Sequence, residues 1–311
     1  MLSAKVLKMT GAKSKLVRTP PKAGLDFAAI RLGGGYLIVS ADPITGVSQN
    51  IGEYAIKVSA NDVATSGNRP RFAESVVLLP EGASAEFAGE VAGQMHRAAK
   101  RLGMTIVGGH TEVTPGLTRP IVSVTAFSFA KSFVSSEDAR AGDSIMMTKT
   151  AGLEGTAVLS GIRRLQDKIG VVEEAVAAFR TGCVHAMHDC TEGGVLGALF
   201  EMSLASGVGF EAYESKVPVA PETRALCKRL SVDPLRLIGS GSLLLSVELG
   251  KEALVEKALK RHCTIAVIGK FVRRGRTLVR RGGRRERVGS APEDELWRVL
   301  SRAAEGGDRP R

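Results

Sequence analysis

Aromatic residues make up only 5% of this 311-residue chain, with a single Trp, which weighs against an aromatic-rich binding surface. No uninterrupted apolar run approaches the ~20 residues of a membrane-spanning helix, so no membrane partner is expected. The opening MLSAKVLKMT carries charges where a signal peptide needs its apolar core. A soluble, unprocessed, cytoplasmic protein is therefore expected. The four cysteines, Cys183, Cys190, Cys227 and Cys263, form no C-x-x-C pair, and reduced thiols are expected. The chain has no G-x-x-x-x-G-K-[ST] and no Rossmann fingerprint opening a helix. It also has no H-E-x-x-H and no G-x-S-x-G. If it handles nucleotide phosphates, it must do so with dispersed carboxylates.

What is present is ordinary globular composition, 44% hydrophobic and 24% charged, with abundant glycine (36 residues) for tight turns. The length suits about two domains. The net charge is +11, and eight arginines fall between Arg273 and Arg287. That stretch alternates like two short strands around Gly282-Gly283. It reads either as a solvated edge hairpin, whose charges block edge-to-edge pairing, or as an anion or nucleic-acid patch. Cys183, His185, His188 and Cys190 lie close together, but their spacing matches no standard zinc module; packing and local hydrogen bonds are expected there.

Strand and helix patterns alternate along the chain, implying an α/β (α+β) fold of two domains. Residues 1–23 read as a basic, mobile arm, 24–142 as an N-terminal domain and 143–311 as a C-terminal domain. The N-terminal half shows a buried strand at 35–40 followed by the acidic turn Ala41-Asp42-Pro43. A helix at 50–66, a strand at 72–79 and an amphipathic helix at 84–102 follow. Further strands are expected at 104–107 and 120–128. The C-terminal half repeats the alternation and ends in a helix at 293–303 carrying Trp297, with a frayed tail after it.

Four constellations carry candidate chemistry. Asp42 directly follows an apolar strand, where clefts open and a carboxylate can hold a hard cation; an Asp before Pro also simply forms turns. Asp62, with Asn61 beside it, lines up with Ile51, Ala55 and Val58 on one helix face. A carboxylate there needs a metal, an ion partner or a capping role. Gly108-Gly109-His110-Thr111-Glu112 could bring backbone close to phosphate, with His110 as base and Glu112 as metal ligand, or could be a plain loop. Asp189-Cys190-Thr191-Glu192-Gly193-Gly194 opens a helix with Thr191 as N-cap. It is either an anion-collecting helix start or a tightly packed cap.

In this order the motifs resemble the aminoimidazole ribonucleotide synthetase (PurM-like) superfamily. Its members include the hydrogenase maturation factor HypE, thiamine-monophosphate kinase, selenophosphate synthetase and formylglycinamidine ribonucleotide synthetase. The matching segments are Asp26-Phe-Ala-Ala-Ile, Ser40-Ala-Asp42-Pro-Ile-Thr-Gly46, Asn61-Asp62-Val-Ala, Gly108 to Gly116 and His188 to Gly194. Asp233-Pro-Leu and Ile238-Gly-Ser-Gly241 look like the HypE branch, and the chain also resembles archaeal proteins of the AIR synthase related or HypE-like kind.

The resemblance implies a homodimer built on the N-terminal strands and an ATP site between the two halves. Asp26, Asp42, Asp62 and Glu112 are implied as Mg²⁺ ligands. Asp26, Asp42, Asn61, Gly108, Gly109, Thr111, Asp189, Thr191, Gly193 and Gly194 are implied around the nucleotide, and His110 and Asp62 as catalytic. It implies phosphoryl transfer or ATP-driven activation of a small metabolite, such as a ribonucleotide or an amide.

Leu25 stands where many relatives have a second acid. HypE works through a cysteine at its extreme C-terminus, whereas here the last cysteine is Cys263; that mechanism is not expected in that form. A non-catalytic or hydrogenase-maturation-like partner protein, and a nucleic-acid binder using the arginine hairpin, are the alternative expectations.

Overall fold

The apolar runs flanking Gly33-Gly34 build an antiparallel hairpin, β1 (Ala28–Leu32) and β2 (Gly35–Ile44). The structure, a computed structural model, describes residues 5–45 and 49–305. The expected frayed tail beyond Glu305 and Gly46 of the second motif lie outside the described residues, as do residues 1–4 of the arm. Helix α1 (Ile51–Thr65) and strand β3 (Phe72–Leu79) come next. Helix α2 (Ala85–Leu102) then crosses over to β4 (Thr105–Val113), which runs parallel to β3. Ser84 caps α2 by accepting the Phe87 N–H, and Gly103 ends it in the left-handed region. Strand β5 (Ile121–Ala130) inserts between β2 and β3, giving a five-stranded sheet in the order β1-β2-β5-β3-β4.

The C-terminal half contains β6 (Ser144–Thr148), α3 (Leu153–Ser160), α4 (Arg163–Gln166), α5 (Val172–Phe179), β7 (Val184–Asp189) and α6 (Gly194–Ser206). It continues with β8 (Gly209–Tyr213), α7 (Pro221–Leu230), β9 (Leu243–Val247), α8 (Glu252–Leu259) and β10 (Ile265–Val272). The arginine hairpin β11 (Arg276–Val279) and β12 (Arg285–Arg287) and the last helix α9 (Glu295–Glu305) complete it. The strands form a seven-stranded sheet, β12-β11-β8-β10-β6-β9-β7. Among the described residues no helix is long and apolar enough to cross a membrane.

α1 joins the halves. Every residue in it but Glu53 is buried. It packs on β2, β5 and α2 of its own half and on α5 and β7 of the other. One apolar cluster runs without a break from Ile38 and Val63 to Met146, Val172 and Leu245. Asn61 ties the two halves at this seam: its Nδ2 donates to the Ile169 carbonyl (2.9 Å), and its Oδ1 accepts the Val171 N–H (2.8 Å).

Four local expectations are corrected. Asp42-Pro43 is not a turn, because β2 continues to Ile44 along β5. The Gly108–Glu112 segment is strand, because β4 keeps pairing with β3 up to Val113. Part of the arm is anchored: Val17 bridges Ile30, and buried Thr19 accepts the Ala29 N–H at 2.6 Å. The arginine hairpin forms at the sheet edge, but Arg280 N–H bonds the Arg284 carbonyl (2.8 Å), so Gly282-Gly283 sit in a loop longer than a two-residue turn.

Candidate active site

β1 stops pairing at Ala28, opposite Val39, so Ser40–Ile44 of β2 have β5 on one side and no strand on the other. An open edge is where a strand accommodates a proline such as Pro43. The gap is one wall of a cleft of about 590 Å³. The N-terminal half contributes Leu25, Asp26, Ser40, Asp42 and, from α1, Val58 and Asp62. The C-terminal half contributes Glu154 and Val158 of α3, His188 and Asp189 at the end of β7, Thr191, Glu192 and Glu201, with Ile238, Ser240, Leu296 and Trp297.

Burial and mutual repulsion dominate the electrostatics. Burial raises the Asp62 carboxyl well above its usual range, and Asp189, Asp42 and Asp26 push it further. Asp189 is raised well above its usual range by burial and then by Asp26. Ser40 Oγ donates to Asp62 Oδ2 at 2.7 Å. Asp26 Oδ2 and Asp189 Oδ2 are buried with no hydrogen-bond partner. His188 lies against Asp26 and, at 3.0 Å, against Glu201. Burial alone would depress His188, but these two carboxylates outweigh it and hold its pKa well above the usual histidine value. Burial, only partly offset by Ser240, pushes Glu154 up to about 7.

Crowded carboxylates with unpaired oxygens are the donor chemistry that hard divalent cations take, and a cation there would reverse the local pKa shifts. The acids fit Mg²⁺ in chemistry. Among the described residues, no group of three or more His, Cys, Asp or Glu is already gathered closely enough to hold a metal ion.

The structure brings together Asp26, Asp42, Asp62, Asp189 and Thr191. It does not bring in the others. His110 and Glu112 bond each other (3.0 Å) on exposed β4, beside Gly108, Gly109 and Thr111. β4 is three strands from β2, roughly 14 Å at the usual strand spacing, so these residues do not reach the cleft of their own chain. Gly109 is required by packing: an added Cβ would lie 2.0 Å from the Ser75 carbonyl oxygen. Asn61 is spent on the seam between the halves. Thr191 is not the N-cap of α6; Gly193 holds that place at φ 74°. The Gly193 N–H is taken by Asp294 Oδ2 (2.7 Å), and Gly193 and Gly194 do not line the cleft.

His185 bonds Asp143 (2.8 Å), away from the cleft. Sequence reasoning missed Glu154, Glu201 and Trp297, whose positions depend on tertiary packing. His188 and Ser40 lay inside motifs already singled out, which was the available signal.

Two family models match: AIR synthase related protein, N-terminal domain, over residues 24–130, and AIR synthase related protein, C-terminal domain, over residues 140–281. The carbamoyl dehydratase HypE of Escherichia coli is 29% identical over 282 residues, 83% of each chain. A HypE–HypF complex has the same fold, with a TM-score of 0.80 at 24% identity over 93% of this chain and 99% of that one. A HypE in complex with ATP matches with a TM-score of 0.76 at 24% identity, over 96% of this chain and 97% of that one.

Proposed function

The chain belongs to the AIR synthase related family, and from that premise we propose that it is an ATP-dependent enzyme acting on a small metabolite in the acidic cleft. The observation that carries this is the convergence of Asp26, Asp42, Asp62 and Asp189 on one cleft, two of them with unpaired buried oxygens. Asp26, Asp42 and Asp62 would hold Mg²⁺, with Asp189 facing them. Bound there, Mg²⁺ would neutralise triphosphate oxygens and the charge that develops as a phosphoryl group moves. The chain's own residues supply orientation: Ser40 fixes Asp62, and His188 fixes Asp26. Val158, Ile238, Leu296 and Trp297 offer a less polar wall for the organic part of a ligand.

The reaction class is phosphoryl transfer or ATP-driven activation of an amide-type oxygen. The acceptor in this reading is a bound metabolite, and among the described residues no cysteine lines the cleft.

The reading includes a homodimer. Strand β4 is an open edge with Val107 55% and Val113 52% exposed, and Phe129 on β5, beyond β3 in the same sheet, is 54% exposed. Long open edges of this kind are ordinarily covered. A second copy covering it would place His110 and Glu112 at the junction of subunits.

The test is ADP release with Mg²⁺ and a panel of ribonucleotides and amides. Turnover with one acceptor, lost in Asp62→Asn, supports the reading. Nucleotide binding without turnover of any acceptor would favour a non-catalytic maturation partner. Neither binding nor turnover would remove both.

A further inference from the structure

The arginines between Arg273 and Arg287 divide into two groups. Arg280, Arg281, Arg284 and Arg285 each face a carboxylate. Arg280 meets Asp233 (2.9 Å) and Glu286 (2.7 Å), Arg281 meets Glu214 (3.7 Å), Arg284 meets Glu286 (3.6 Å), and Arg285 meets Glu211. Arg273, Arg274, Arg276 and Arg287 have no carboxylate partner among the described residues, and all four line one hollow of about 270 Å³. No acidic side chain lines that hollow, and it shares no residue with the acidic cleft.

Arg276 is fixed in place. Its Nε donates to Ser203 Oγ (2.7 Å), and its guanidinium lies 4.8 Å from the centre of the Phe200 ring. Both terminal nitrogens remain without a hydrogen bond to described residues. Gly207 and Gly275, at φ +77° and +88°, border the hollow where an added Cβ would meet nothing within 4 Å, so the space beside them is open. Four like charges gathered at one concavity repel one another unless an anion joins them, and guanidinium groups match phosphate oxygens two at a time. Because the hairpin tip is already neutralised by acids, the positive field is concentrated in the hollow rather than spread along the hairpin. A long nucleic-acid strand would need the spread arrangement, with rings to stack on.

We propose that this hollow binds a small molecule carrying two or more phosphate groups, held by Arg273, Arg274, Arg276 and Arg287.

The experiment is calorimetric titration of the full chain with inorganic pyrophosphate in EDTA, where the acidic cleft repels anions. Saturable binding is expected, weakened about tenfold or more in Arg273→Gln/Arg287→Gln and in Arg276→Gln, and unchanged in Arg281→Gln/Arg284→Gln. Should Arg276→Gln fail to fold, the exposed double variant decides alone. Parallel arms use phosphatidylglycerol vesicles and a single-stranded oligonucleotide. Absence of pyrophosphate binding, equal loss in the Arg281/Arg284 variant, or binding of vesicles or oligonucleotide that pyrophosphate does not displace would each overturn the proposal.

Discussion

His188 stands between the carboxylates of Asp26 and Glu201, its Nδ1 against the first and its Nε2 3.0 Å from the second. Asp26 comes from the N-terminal half and Glu201 from α6, so one imidazole joins the halves and balances a buried acid of the cleft. Removing it with His188→Ala leaves Asp26 buried without a cation. Breaking such a pair costs about 3–5 kcal/mol, to be read in urea unfolding. The His188 pKa is raised in the folded chain. Its contribution to stability is therefore full below the usual histidine value and is lost as pH rises through the higher folded value. The gap between wild type and variant should narrow at alkaline pH.

Asp62→Asn should stabilise the metal-free protein at pH 8. Its carboxyl is raised by burial and by three neighbouring acids, so ionisation costs stability that grows as pH rises above the unfolded value. Asn keeps an oxygen for Ser40 and removes the charge, so the variant should melt at a higher temperature than the wild type at that pH. The same variant should lose any Mg²⁺-dependent response to ATP. Thermal melts with and without Mg²⁺ and ATP check both signs.

Glu154 is raised from 4.5 to about 7 by burial. Between those values the folded chain binds more protons than the unfolded one, so stability falls with rising pH and levels off above about 7. The loss is at most roughly 3 kcal/mol at 1.36 kcal/mol per unit. Glu154→Gln should flatten this slope and leave stability near pH 4.5 almost unchanged. Unfolding curves across pH 4–8 would show it; an unaltered slope would contradict it.

The proposed dimer along β4 predicts that Val107→Lys or Val113→Lys yields monomers in sedimentation while the fold, read by circular dichroism, persists. A wild-type chain already monomeric at micromolar concentration would contradict the dimer.

The legibility of the site follows its physics. Asp42 is legible because it follows an apolar run, and Asp62 because its spacing from Ile51, Ala55 and Val58 places it with buried residues. Both inferences use local periodicity, which is written in the chain. Glu112 and His110 were not separable from the cleft in this way. Their distance depends on β5 inserting between β2 and β3, a long-range pairing that no local pattern encodes. The N-cap of α6 is not legible for a similar reason: Gly193 rather than Thr191 holds that position, and its N–H is taken by Asp294, far along the chain. Element types, from the strand at Phe72–Leu79 to the amphipathic helix ending at Leu102, were visible because alternation and 3.6-residue spacing are local.

The central claim is that Asp26, Asp42, Asp62 and Asp189 form a cation-dependent triphosphate site. Calorimetric titration of ATP into the full chain carrying Arg273→Gln/Arg287→Gln, which removes the arginine hollow as a second polyphosphate site, tests it most directly. The account predicts saturable binding with Mg²⁺, little or none in EDTA, and loss in Asp62→Asn. ATP binding of equal strength with and without divalent cations, or unaltered in that variant, would contradict it.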